Sequence, residues 1–161
     1  MNNKKAFTDT IKANEGLIYK VAKVYANNRE DEQDLYQEIV YQLWKSFESF
    51  RNEARVSTWM YRIALNTSIA FLNSTKRKVK QEAVNEALEN IHYTDYTIER
   101  EQIEELYAAI KQLNTIEKGL ILLYLEGKPY DEIAVITGFT VTNVGTRLAR
   151  IRQKLTSHIK K

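Results

Sequence analysis

The stretch Asp31-Glu32-Gln33-Asp34-Leu35-Tyr36-Gln37-Glu38-Ile39-Val40-Tyr41-Gln42-Leu43-Trp44-Lys45-Ser46-Phe47 carries the cleanest helical periodicity in the sequence. Wound at about 100° per residue, it places Leu35, Ile39, Val40, Leu43 and Phe47 on one side, and Asp34, Gln37, Glu38, Tyr41, Gln42 and Lys45 on the other. The spacing predicts a helix from Asp31 to Phe50 after a polar break at Asn27 to Glu30. One face builds a core, and the opposite face is free to bind a partner.

The rest of the chain agrees with a helical reading. Among 161 residues there are five Gly and one Pro, and the apolar fraction is 43%, so all-α is the expected fold class and sheet architectures are disfavoured. The length suits two small domains of roughly 70 to 80 residues. With no Cys, disulfides, thiol nucleophiles, thiol redox switches and Cys-ligated zinc are excluded together. Met1 to Gly16 lacks the apolar core of a signal peptide. The longest apolar run, Leu120 to Leu125, is too short to cross a bilayer, so a cytoplasmic chain without membrane insertion is expected.

Charge is distributed in blocks. Between Arg51 and Lys80 seven basic residues stand against Glu53 alone, between Gln81 and Tyr107 eight acidic residues stand against Arg100, and from Ala108 onward nine basic residues stand against four acidic ones. Two basic blocks flanking an acidic connector suit two nucleic-acid contacts joined by a segment that avoids the polyanion. The expected organisation is a first domain over 1–75, a linker over 76–97 with a short helix around Glu82 to Asn90, and a second domain over 98–161. In the first domain, one or two helices precede the break at Asn27, with an interruption near Asn14 to Gly16. In the second, helices are expected from Ile98 to Leu113 and from Thr115 to Glu126, the latter capped by Gly127, before a final helical pair.

That final pair has the features of a helix-turn-helix. Pro129 stands at a helix start, Asp131 and Glu132 favour its positive end, and Ile133, Ala134 and Ile136 supply the buried side. Gly138 fits the tight turn, where a positive φ is cheap for Gly alone. The next helix, from about Thr140, buries Val144, Leu148, Ile151 and Leu155. It presents Thr142, Asn143, Thr146 and Arg150, with Arg147 and Lys154 at the flank. Small polar groups near the N-terminal end can reach base edges, and the basic groups beyond them can hold phosphates. A plain helical hairpin with a solvated basic face is the bland alternative. Gly145 inside the helix either admits a close approach to DNA or is simply tolerated.

From Thr58 to Asn73 the apolar residues Trp59, Met60, Tyr61, Ile63, Leu65, Ile69, Phe71 and Leu72 surround the helix almost completely, as in a helix deeply buried or half covered by a partner. Arg62, Asn66 and Asn73 share a face beside Trp59. A stacking surface beside amide and guanidinium groups suits the capture of unstacked bases, and Lys76, Arg77 and Lys78 can neutralise nearby phosphates. Aromatics at helical spacing are also what an ordinary core contains.

At this point the sequence resembles the extracytoplasmic-function group of bacterial RNA polymerase sigma factors over nearly its whole length. Asp31 to Glu38 resembles the family's acidic "DAEDLxQE" stretch, Thr58 to Asn66 its "TWLYRIAxN" segment, and Leu113 to Leu155 its C-terminal domain, with "YDEIA" at Tyr130 to Ala134 where "EEIA" is usual. The resemblance implies two helical domains, region 2 and region 4, joined by the acidic linker. Its implied partners are core RNA polymerase, through the clamp coiled coil and flap, promoter DNA, and in many members an anti-sigma factor. Asp34, Gln37, Glu38 and Tyr41 would dock on the polymerase. Phe50, Arg51, Asn52, Arg55, Trp59, Tyr61, Arg62, Asn66, Lys76, Arg77 and Lys78 would bind and open the minus-ten element. Thr140, Thr142, Asn143, Thr146, Arg147 and Arg150 would read the minus-thirty-five element. No catalytic residue, metal or cofactor is implied. Asn52 stands where the family often has Gly, Val56 where an aromatic residue is frequent, and Gly119 where a larger residue is common.

Two other functions account for parts of the sequence. A stand-alone helix-turn-helix regulator leaves the Asp34, Gln37 and Glu38 face unexplained. A helical metalloprotein would use Glu89-Asn90-Ile91-His92 as a Glu-x-x-His ligand pair, but such a centre needs the motif twice, and His158 is preceded by Leu155.

Overall fold

The computed structural model describes residues 2–50, 55–75 and 98–159. They form eight helices, with no strand among the described residues, and the chain divides into two compact units. No described helix is long and apolar enough to cross a membrane.

The first unit contains α1 (Asn2–Ala13), α2 (Glu15–Tyr25), α3 (Arg29–Phe47) and α4 (Val56–Thr75). The expected interruption falls at Asn14, whose backbone leaves helical geometry (φ −128°, ψ 23°) while its side-chain amide donates to the Thr10 carbonyl at 2.9 Å. Asn28 starts α3 from an extended conformation, and its Oδ1 accepts the Asp31 N–H at 2.8 Å. Glu30, Asp31 and Glu32 then occupy the first turn, where negative charge complements the unpaired N–H groups. The helix stops at Phe47, three residues before the end expected from periodicity. Ser49 and Phe50 donate to Ser46 and Phe47 in i,i−3 bonds that tighten the exit.

Three helices make the core of this unit. Ile18, Val21, Ala22 and Tyr25 of α2 are buried, as are Leu35, Ile39 and Leu43 of α3, and Met60, Tyr61, Ala64 and Leu65 of α4. Each of these helices packs against the other two, while α1 rests on α3 through the buried Phe7. Ser68 is buried among them with its hydroxyl donating to the Ala64 carbonyl at 2.8 Å. No buried side-chain nitrogen or oxygen among the described residues lacks a hydrogen-bond partner, so the core carries no uncompensated polar desolvation.

The second unit contains α5 (Ile98–Lys111), α6 (Thr115–Leu125), α7 (Tyr130–Thr137) and α8 (Val141–Ile159). Asn114 and Glu117 form a reciprocal capping box at the start of α6, with bonds of 2.8 and 3.0 Å. At its end Gly127 takes φ +82° while Lys128 and Gly127 donate to Leu123 and Tyr124. These two bonds are the Schellman arrangement that ends a helix on a left-handed residue. The long α8 packs on α5, α6 and α7, burying Val144, Leu148, Ile151 and Leu155 against Ile110, Leu120, Leu123 and Ile133.

Candidate functional site

In the first unit the outer face of α3 carries Asp34, Gln37, Glu38 and Tyr41, all exposed. Their exposure follows from the same periodicity that buries Leu35, Ile39 and Leu43. Glu38 accepts a hydrogen bond from Gln42 at 3.0 Å. Gln37 borders a small crevice toward α2, beside Tyr19 and Tyr36. Burial, and then the negative charge of Glu15, raise the Tyr36 phenol above its ordinary value, so Tyr36 is a neutral hydrogen-bonding group at physiological pH.

Between α3 and α4 runs a groove of about 550 Å³ lined by Glu38, Gln42, Asn66, Thr67, Ala70 and Phe71. It brings Asn66, expected to read a base, beside Glu38, expected to dock on a protein. That adjacency was not legible from the sequence. Thr67, Ala70 and Phe71 enter the site only through the groove, because they follow Asn66 around α4.

Trp59 is held from behind by a chain of rings. Phe7 meets Trp44 edge-on at 5.0 Å and Phe47 at 5.3 Å, Phe47 lies 6.1 Å from Trp59, and Phe50 stacks on Trp59 at 4.7 Å with 23° between the planes. Such contacts each add about 0.5–1.5 kcal/mol beyond area burial, so the Trp59 ring is fixed rather than searching. Phe50 stacks on Trp59 and Phe47 is tilted against it, and the residue stays half-buried. Arg55, immediately before α4, and Arg62 and Asn66 on it are exposed.

Tyr61 is placed differently from the other expected ligands. Its side chain is 2% exposed and forms part of the core between helices, so it supports α4 and has no ring face to offer a base. Because α4 is apolar almost all round, periodicity could not tell which aromatic residue pointed inward. Arg51, Asn52, Lys76, Arg77 and Lys78 lie outside the described residues, as do the expected linker and the Glu89 to His92 motif. No group of metal-ligating side chains occurs among the described residues.

In the second unit the helix-turn-helix is formed by α7, the turn Gly138-Phe139-Thr140, and α8. Gly138 has φ +87°, and its N–H donates to the Ala134 carbonyl at 2.8 Å. Thr140 Oγ1 accepts the Asn143 N–H at 3.1 Å, capping α8. Thr142, Asn143, Thr146 and Arg150 are exposed. Arg147 Nε donates to Asn143 Oδ1 at 2.7 Å, and its guanidinium lies 4.4 Å over the Phe139 ring. Phe139 is therefore a contributor that sequence reading passed over. Its signal is an aromatic residue immediately after the turn glycine and eight positions before an Arg.

A Cβ built at Gly145 would stand 3.4 Å from the Tyr130 ring, an ordinary van der Waals contact, so packing of α8 on α7 does not require a glycine there. Further along α8, Lys154 Nζ bonds Glu117 Oε2 at 2.6 Å, tying this helix to the capping box of α6. Burial pushes the Glu117 carboxyl up, but the Lys154 hydrogen bond, the Asn114 N–H and the charges of Lys154 and Arg147 outweigh it and leave the group below its ordinary value.

Residues 10–78 match the family described as sigma-70 region 2, and residues 103–155 that described as sigma-70, region 4. The chain is 32% identical over 138 residues to RNA polymerase sigma factor SigV of Bacillus subtilis, spanning 83% of this chain and 78% of that protein. It is 30% identical over 169 residues to the ECF RNA polymerase sigma-E factor of Haemophilus influenzae, spanning 98% and 89%. Among solved structures, its fold resembles the sigma factor RpoE bound to the anti-sigma factor NepR from Bartonella quintana, with TM-score 0.77, 19% identity and coverage of 97% and 98%. CnrH in complex with the cytosolic domain of CnrY gives TM-score 0.71, 18% identity and coverage of 98% and 89%.

Proposed function

The chain belongs to the extracytoplasmic-function group of RNA polymerase sigma factors, and from that premise we infer which of its surfaces does which part of the work. It binds core RNA polymerase and directs it to promoters. The exposed α3 face of Asp34, Gln37, Glu38 and Tyr41 docks on the polymerase clamp, while the second unit engages the flap. Phe50, Arg55, Trp59, Arg62 and Asn66, together with Arg51, Asn52 and Lys76 to Lys78, hold the minus-ten element. Thr140, Thr142, Asn143, Thr146, Arg147 and Arg150 meet the minus-thirty-five element in the major groove.

The observation that carries this reading is the groove between α3 and α4, where the amide of Asn66 lies beside Glu38 and Gln42. An unstacked base needs a hydrogen-bonding edge partner and an aromatic surface, and Asn66 and the braced Trp59 supply them on one helix. Each captured base offsets an unstacking cost of a few kcal/mol, with stacking on an aromatic side chain worth about 1–3 kcal/mol. Binding energy opens the duplex, and the polymerase performs the covalent chemistry, so the chain acts as a cytoplasmic initiation factor with no catalytic residue or cofactor of its own. A stand-alone regulator would use the second unit alone and leave the first without a task.

The test is co-purification with core polymerase, followed by transcription from promoter DNA. Wild-type chain should be retained by the polymerase and should support initiation. Charge reversal at Asp34 and Glu38 should remove both. Retention of the reversed variant at wild-type levels would sink the assignment of α3. Sequestration by an anti-sigma factor belongs to the same reading, and a partner that competes with core polymerase for the chain would identify it.

A further inference from the structure

We propose that Phe139 is a positioning residue that sets the base preference of α8: with Asn143 it holds Arg147 as a unit presenting only hydrogen-bond donors, which selects a guanine. The inference rests on α8 being the promoter-reading helix and goes beyond it by naming a base class and a residue that need not touch DNA.

Three contacts define the unit. The Phe139 N–H lies 3.4 Å from Thr137 Oγ1, and the turn that carries it is fixed by the left-handed Gly138. The ring sits beneath the Arg147 guanidinium at 4.4 Å, and Arg147 Nε donates to Asn143 Oδ1 at 2.7 Å. A guanidinium is planar and stacks on an aromatic face, so the ring sets its plane and the amide sets its rotation. Much of the freedom that a long side chain loses on binding is already lost in the free protein.

The chemistry of the pair then limits what it can read. Arg carries donors only, so the atom of Asn143 that faces it must be the carbonyl oxygen. An amide reads adenine by offering its oxygen and nitrogen side by side to N6 and N7. Here the oxygen is turned along the helix to Arg147, and Asn143 has its NH₂ left to present. Arg147, with Nε committed, presents the two Nη groups. A donors-only surface matches the guanine edge, which offers N7 and O6 as neighbouring acceptors. The Thr146 hydroxyl donates its proton to the Thr142 carbonyl at 3.1 Å, so its oxygen stands apart from the donor pair as an acceptor.

The experiment uses holoenzyme assembled from the full chain and core polymerase, with a promoter library randomised across the minus-thirty-five element and sequencing of the fragments that form open complexes. Wild type should enrich guanine over adenine about tenfold at one position, the low end of what a bidentate contact discriminates. Replacing that base with 7-deazaguanine should remove most of the gain. Phe139→Leu and Arg147→Ala should both flatten that position and no other, whereas Phe139→Tyr, which keeps the ring, should retain it. Asn143 is exposed, so Asn143→Ala leaves folding intact and should weaken the guanine preference, deciding the matter if Phe139→Leu fails to fold. An unchanged preference in folded Phe139→Leu, or in Asn143→Ala, overturns the proposal. A uniform loss across all sequences in Arg147→Ala also overturns it, since that is the behaviour of a phosphate contact. Should wild type show no preference anywhere in the element, the promoter-reading assignment of α8 falls as well.

Discussion

Replacing Glu117 by Gln separates two tasks that one carboxylate performs. Its Oε1 accepts the Asn114 N–H at 3.0 Å and its Oε2 accepts Lys154 Nζ at 2.6 Å. Gln keeps a carbonyl for the cap but loses the charge. A hydrogen bond to a charged group contributes about 1.5–3 kcal/mol. The Glu117 side chain is 14% exposed but that of Lys154 is 53% exposed, so solvent screening brings the expected loss to about 1 kcal/mol. For a unit of this size that is a fall in Tm of about 4–8 °C. Both Trp residues of the chain, Trp44 and Trp59, lie in the first unit, so tryptophan fluorescence follows that unit alone while far-UV circular dichroism follows both. Glu117→Gln should lower the dichroism transition of the second unit and leave the fluorescence transition in place. Because the folded carboxyl lies below its ordinary value of 4.5, the unfolded chain takes up the proton first. The stabilisation is full above that value and lost as pH falls through the folded one, so the two melting curves should converge in acid. An unmoved Tm at neutral pH, or an equal shift in fluorescence, would refute the reasoning.

Other perturbations give equally definite outcomes. Gly138→Ala meets open space, but φ is +87°, so the whole cost is backbone strain of about 1–2 kcal/mol, measurable as a lower Tm of the second unit. Gly145→Ala places a methyl 3.4 Å from the Tyr130 ring; with about 1 kcal/mol gained in helix propensity, it should be neutral or stabilising. Gly145→Leu should cost about 1–3 kcal/mol by overpacking. Ile39→Ala, at a fully buried position in the centre of the first unit, should cost about 2–5 kcal/mol and shift the fluorescence transition. Asp34→Lys with Glu38→Lys, at exposed positions, should leave both melting transitions within about 0.5 kcal/mol of wild type while abolishing polymerase binding in pull-down.

The features written most clearly in the sequence are those that depend on neighbours along one helix. The α3 face was legible because a two-sided helix sorts its residues by period alone, and Gly138 because a left-handed turn leaves few choices of residue. What stayed hidden depends on distant partners. Tyr61 turned inward because α2 and α3 cover that side of α4, and an all-round apolar helix gives no hint of which side is covered. Glu117 is tied to Lys154, thirty-seven residues away. The pairing of Arg147 with Asn143 lies at ordinary helical spacing, but the ring that fixes its plane comes from the turn. The end of α3 at Phe47 was missed because Phe50 continues the apolar pattern while its ring serves Trp59 from outside the helix.

The central claim is that this chain opens promoter DNA by holding unpaired bases on α4. The most direct measurement is permanganate reactivity of thymines on genomic fragments upstream of transcription starts that respond to overproduction of the chain, with holoenzyme carrying wild-type chain or Asn66→Ala. Wild type should expose reactive thymines in the minus-ten region. Asn66→Ala should still bind core polymerase and the fragment, but its thymines should react at least tenfold less. Equal reactivity in the two holoenzymes would contradict the role of Asn66, and wild-type holoenzyme that leaves every fragment unreactive would contradict the account as a whole.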